Sequence, residues 1–67
     1  MVLKGTIGQR GTITSLPTSR YIAGWTYKVI TAGTYAGQRC EVNDLIVAIN
    51  NGSSTGTSVV SGDWTVI

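Results

Sequence analysis

The stretch Val42-Asn43-Asp44-Leu45-Ile46-Val47-Ala48-Ile49 decides the fold. Asn43-Asp44 is a turn signal, and Leu45, Ile46, Val47, Ala48 and Ile49 form an apolar run in which β-branched residues dominate. A helix would need about ten residues or more, whereas Asn50-Asn51-Gly52 stops this run early. The reading is a central strand buried on both faces, with the other strands brought to it.

Working outward, Trp25-Thr26-Tyr27-Lys28-Val29-Ile30 alternates, placing Trp25, Tyr27 and Val29 on one face and Thr26 and Lys28 on the other. Arg39-Cys40-Glu41-Val42 alternates too, with Cys40 and Val42 inward, and turns at Asn43-Asp44 into the central strand. Asp44 should accept a backbone hydrogen bond there, fixing the register of Leu45 to Ile49 against Trp25 to Ile30. Asp63-Trp64-Thr65-Val66-Ile67 opens a last strand with Trp64 and Val66 on one face. Candidate core or interface residues are therefore Tyr27, Val29, Leu45, Ile46, Val47, Ile49 and Trp64.

The connections are rich in glycine and hydroxyl residues. Val2 to Ile7 alternates loosely and is broken by Gly8 and Gly11, so residues 1–15 read as an N-terminal strand arm and residues 16–67 as one compact β module. Leu16-Pro17 opens a loop. Tyr21-Ile22-Ala23 is the one place for a short helical turn, with Ser19 near its start and Gly24 at its stop. Ala32 to Gln38, with Gly33 and Gly37 around Tyr35, reads as a connection between strands. Residues 50–62 form a polar loop interrupted by Val59-Val60, long for a compact domain and so either mobile or functional. The apolar pattern runs to Ile67, as in a module continued in a longer chain.

Composition supports this class. Gly, Ser, Thr and β-branched residues are abundant, Phe is absent and helix-favouring Glu occurs once. The expected fold is all-β, a small antiparallel β-sandwich or partly open barrel with at most one short helical turn. Sixty-seven residues bury only about 60% of the surface that the unfolded chain exposes, so the core is marginal. The single Cys40 excludes an internal disulfide, and the absence of His argues against a zinc staple. Oligomerisation, or packing against neighbouring domains of a longer chain, is the remaining way to bury more surface, and self-association is expected.

Several functions are disfavoured. Charged residues make up 12% of the chain, about half of the usual 25% or so. Lys4, Arg10, Arg20, Lys28 and Arg39 are dispersed rather than clustered on a nucleic-acid footprint. No apolar run approaches the roughly 20 residues that span a membrane, so no membrane insertion is expected. Without His, and with only Glu41, Asp44 and Asp63 as carboxylates, no catalytic constellation, metal site or cofactor motif is present in the pattern, and the chain does not read as an enzyme. Cys40, inward and without a His partner, reads as a small buried hydrophobe. Asn51-Gly52-Ser53 matches a glycosylation acceptor but is better read as turn chemistry. The candidate binding surface is Tyr35 and Trp25 for aromatic stacking, with Asn51, Ser53 and Ser54 from the polar loop.

The order of Leu16-Pro17, Gly24-Trp25-Thr26-Tyr27-Lys28-Val29, Ala32-Gly33-Thr34-Tyr35-Ala36-Gly37-Gln38, Val42-Asn43-Asp44-Leu45-Ile46 and Asp63-Trp64-Thr65-Val66 resembles small β modules of bacteriophage tail-fibre, baseplate and receptor-binding proteins. The resemblance covers residues 2–67, and one departure is Asn43 where that pattern has Gly, a change Asn tolerates in a left-handed turn position. It implies a homotrimeric structural component of the virion tail, made in the bacterial cytoplasm, in contact with other virion tail proteins and without catalytic residues. An alternative within the same likeness is a host-surface glycan-binding module that uses the 50–62 loop. More remotely, Val42 to Gly52 resembles the turn-strand-turn segment of PDZ peptide-binding domains.

Overall fold

The computed structural model describes residues 1–67 and contains six strands in two sheets with one short 3-10 turn. The strands are β1 (Val2–Ile7), β2 (Trp25–Val29), β3 (Gly33–Tyr35), β4 (Gln38–Cys40), β5 (Leu45–Ala48) and β6 (Trp64–Val66). The larger sheet runs β1-β2-β5-β6, and β3-β4 is a separate hairpin. The fold is all-β, and β5 lies in its interior, between β2 and β6.

The turn before β5 has the chemistry expected of it. The Glu41 N–H donates to Asp44 Oδ2 at 2.8 Å, and the Asp44 N–H donates to the Glu41 carbonyl at 3.1 Å. Asn43 takes the left-handed conformation, φ 79°, which a short polar side chain tolerates better than most. The register that follows pairs Thr26 with Val47, Tyr27 with Ile46 and Lys28 with Leu45, antiparallel. β6 continues the sheet, Val66 opposite Ile46 and Trp64 opposite Ala48.

Two strands depart from the antiparallel expectation or were unread. β1 pairs with β2 in parallel, Val2 beside Trp25 and Ile7 beside Val29, with a bulge between Leu3 and Gly5. A parallel neighbour needs a crossover of a dozen or more residues, and residues 8–24 supply it without forming a helix. Residues 1–15 are thus integral to the sheet: Ile7 is fully buried in the core and Ile13 packs against it. The Ala32–Gln38 connection is in fact a hairpin, Gly33 opposite Cys40 and Tyr35 opposite Gln38. Its two-residue loop, Ala36 (φ 52°) and Gly37 (φ 72°), puts both central residues at positive φ, the turn whose twist matches the flanking strands.

The helical turn expected at Tyr21-Ile22-Ala23 is absent. The backbone groups it would need are taken elsewhere: the Tyr21 carbonyl accepts from the Gly52 N–H at 2.8 Å and the Ala23 N–H donates to Asn51 Oδ1 at 2.8 Å. The segment ends instead in a tight turn, Trp25 N–H to Ile22 carbonyl, with Gly24 at φ 101°. The only helical piece is the 3-10 turn Ser61–Asp63, immediately before β6.

One face of the larger sheet is covered. Tyr27, Val29, Ile46, Ala48 and Trp64 meet Ile7, Leu16, Tyr21 and Cys40 in a single core. Trp64 stands 4.9 Å from Tyr21 and 6.3 Å from Tyr27, ring centre to centre, both tilted. Its indole N–H is buried without a partner, a cost that its apolar contacts must outweigh. Val42, expected inward, is exposed because the turn begins directly after Cys40. Ile49, placed among the core or interface candidates, falls just beyond β5 and is also exposed.

The edges of this sheet are closed by side chains. Along β1, Thr6 and Thr12 exchange backbone-to-hydroxyl bonds at 3.2 and 3.0 Å, and the Ile13 N–H donates to the Thr6 carbonyl. Along β6, Gln38 Nε2 donates to the Trp64 carbonyl at 2.7 Å, a rung supplied by an amide side chain. Such devices block strand addition at an edge.

Candidate functional site

The residues expected to form a binding surface each have partners within the chain. Trp25 is half-buried at the start of β2 with Lys4 Nζ 4.2 Å from its ring centre, a cation–π contact. Asn51 is occupied in holding the Ala23 N–H, the Ser53 carbonyl accepts from the Arg20 N–H at 2.8 Å, and the Ser54 carbonyl from Arg20 Nε at 3.5 Å. Further along, Thr18 Oγ1 donates to the Gly56 carbonyl at 3.2 Å. The 50–62 loop is thereby laced to residues 18–23. At Gly52 the chain passes so close to Tyr21 that a Cβ would lie 2.6 Å from the ring, so only glycine fits.

The loop is also clamped at its far end. The Tyr21 hydroxyl donates to Asp63 Oδ2, and Asn50 Nδ2 donates to Asp63 Oδ1 at 3.1 Å. The hydrogen bond to Asp63, then burial, then the carboxylate's negative charge hold the Tyr21 hydroxyl above its ordinary pKa. Burial alone raises Tyr27. Burial is also the main reason the Cys40 thiol is raised, consistent with an unreactive core position.

All three carboxylates have partners: Glu41 with Arg39 at 3.2 Å on the surface, Asp44 with the Glu41 N–H, and Asp63 with Tyr21 and Asn50. No three of the Cys, Asp and Glu residues gather as a metal site would require. No helix is long and apolar enough to cross a membrane. With a three-residue 3-10 turn as its only helix, the fold lacks the helical wall of a PDZ-type groove.

Tyr35 lies in different company. It is half-buried on the β3-β4 hairpin, with its hydroxyl donating to the Thr31 carbonyl at 2.7 Å. A pocket of about 210 Å³ opens beside it. Thr14, Ser15 and Thr34 contribute hydroxyls, while Leu16, Tyr35 and Val59 contribute apolar surface. Of its lining only Tyr35 is marked in the sequence, because the walls come from three separated segments.

A second surface emerges from the register. Leu3, Thr26, Val47 and Thr65 lie side by side across four strands, as do Thr6, Lys28, Leu45 and Ile67. Alternation sets these rows on the face opposite Tyr27 and Ile46. Val47 is buried there yet stands outside the core cluster. Thr26, expected on a wet side, is buried in the same row and bonds its hydroxyl to the Gly24 carbonyl at 3.0 Å. Lys28 is the one charge in the two rows. Comparison with protein-family models, with curated proteins and with solved structures finds no match.

Proposed function

We propose that this chain is a structural assembly module of a bacteriophage tail or tail-fibre protein, homotrimerising through the apolar outer face of its four-stranded sheet and contacting other virion tail proteins. The observation that carries the reading is that face: Leu3 from β1, Leu45 and Val47 from β5 and Ile67 just after β6 lie on it together, with Ile49 continuing the β5 row. Scattered exposed apolar residues are ordinary, whereas a contiguous patch marks a contact surface. The closed sheet edges favour face-to-face over edge-to-edge association. The sequence likeness over residues 2–67 supplies the tail setting and the threefold symmetry.

The surface area does not by itself call for a partner. The chain exposes 3933 Å², close to the roughly 4,100 Å² that the area–mass relation gives for a monomer of this mass. What matters is which atoms are exposed. Sedimentation equilibrium at micromolar concentration tests the reading: a trimer is expected for the unaltered chain, and monomers with an unchanged circular dichroism spectrum for Leu3→Asp and Ile49→Asp. A folded monomer of the unaltered chain would overturn it.

A further inference from the structure

The geometry points to the pocket between Thr14, Thr34 and Val59 as a binding site for one ring of a neutral glycan. This goes beyond assembly and does not depend on the oligomeric state. It also moves any recognition away from Asn51, Ser53 and Ser54, whose segment is consumed in lacing to residues 18–23.

Size sets the first limit. At about 210 Å³ the pocket is smaller than the roughly 300–1,000 Å³ of pockets that take drug-sized ligands, which leaves room for a single ring and too little for a longer ligand to be enclosed. Charge sets the second. None of the lining residues is ionisable at neutral pH, so nothing there compensates a phosphate, a carboxylate or an ammonium group. A neutral ligand loses nothing by this.

The lining chemistry narrows the class further. The hydroxyls of Thr14, Ser15 and Thr34 all lie outside the chain's own side-chain hydrogen bonds, so each is free to donate and accept. Leu16 and Tyr35 add apolar surface to the same lining, and the bond from the Tyr35 hydroxyl to the Thr31 carbonyl fixes that ring before a ligand arrives. A pyranose matches this division, with a C–H face for the ring and hydroxyls for the rim. An apolar peptide side chain would use the apolar surface and leave three hydroxyls unmatched.

The probes are the methyl glycosides of glucose, galactose and N-acetylglucosamine, methyl glucuronoside as the charged counterpart, and N-acetylproline amide as the peptide counterpart. They are titrated into the isotope-labelled full chain and followed by backbone amide chemical shifts. Saturable shifts centred on Ser15, Thr34, Tyr35 and Val59 are expected for at least one neutral sugar, with Kd on the order of 1–10 mM, and a clearly weaker response to the glucuronoside. Thr34→Val should weaken binding about fivefold, the worth of one neutral hydrogen bond, and Val59→Trp should abolish it, both without changing Tm. No saturable shift with any sugar, shifts centred on residues 51–54, tighter binding of the proline probe, or full affinity in Val59→Trp would each overturn the assignment.

Discussion

On the inner face of the sheet, Ile46 and Val29 are completely buried, while across the same strands Leu3 and Ile67 remain 69% and 64% exposed. The residues are of one kind, and in β5 the two faces alternate along a single run, Ile46 and Ala48 against Leu45 and Val47. Residue type therefore does not distinguish the faces. What does is where the rest of the chain lies: the 14–21 crossover and the β3-β4 hairpin bring Leu16, Tyr21, Tyr35 and Cys40 over one face, whereas Leu3 and Ile67 on the other stay exposed. An apolar run informs about the strand, and only the topology informs about its cover.

The contrast is broken or sharpened first by truncation. Ile46→Ala empties a core site and should cost about 2–5 kcal/mol, a large share of what so small a domain has. Ile49→Ala should cost less than about 1 kcal/mol in dilute protein, and under the proposed association its effect on Tm should grow with protein concentration. Thermal melts of both variants over a concentration series check this. Equal costs at every concentration would mean that the two faces are equally covered within one chain.

The inner face also carries the polar clamp. Tyr21→Phe keeps the ring against Trp64 and removes the hydroxyl bonded to Asp63, with an expected loss of about 1–2 kcal/mol in urea unfolding. The same variant should change the response to base. Tyr21 and Tyr27 ionise near pH 10.0 when unfolded and higher when folded. Their contribution is therefore fully present below about pH 10 and is lost as pH rises through the folded values, since the unfolded chain releases its protons first. Each tyrosine can add up to about 1.4 kcal/mol per pH unit to that decline. Tyr21→Phe should flatten the slope, and an unchanged slope would show that Tyr21 ionises freely in the folded chain. Smallest of all, Thr57→Ala on the exposed part of the 50–62 loop should shift stability by less than about 0.5 kcal/mol, measured by the same melts.

The pairing of β2 with β5 was legible because its cues are local: an Asn-Asp turn, a β-branched run and strict alternation. The β3-β4 hairpin was not, since Ala36 occupies a positive-φ position that usually announces itself as Asn or Gly. Nor was the parallel seat of β1, which depends on where a crossover lands rather than on β1's own residues. Trp64 was read as apolar and is so, but its neighbour Tyr21 lay in a segment read as a helical turn. The polar 50–62 loop read as a free binding element because its partners, Arg20, Tyr21 and Ala23, lie some thirty residues earlier. Tyr35, expected in a loop, stands at the end of β3 and is half-buried, while Thr14, Ser15 and Thr34 carry no distinguishing pattern at all.

The seating of Trp64 between Tyr21 and Tyr27 bears on the order of events during folding. The strand that completes the core is the last in the chain, and the parallel partner of β2 is the first, so neither end can dock on local contacts alone. Pairings that distant must meet the entropy of loop closure before contacts reward it, which places such topologies among the slower small folders, in milliseconds to seconds. A nascent chain released only as far as β5 would hold that strand with one side unpaired. Stopped-flow fluorescence should then show Trp64 acquiring its buried emission in the same kinetic phase that forms the sheet, with no earlier step.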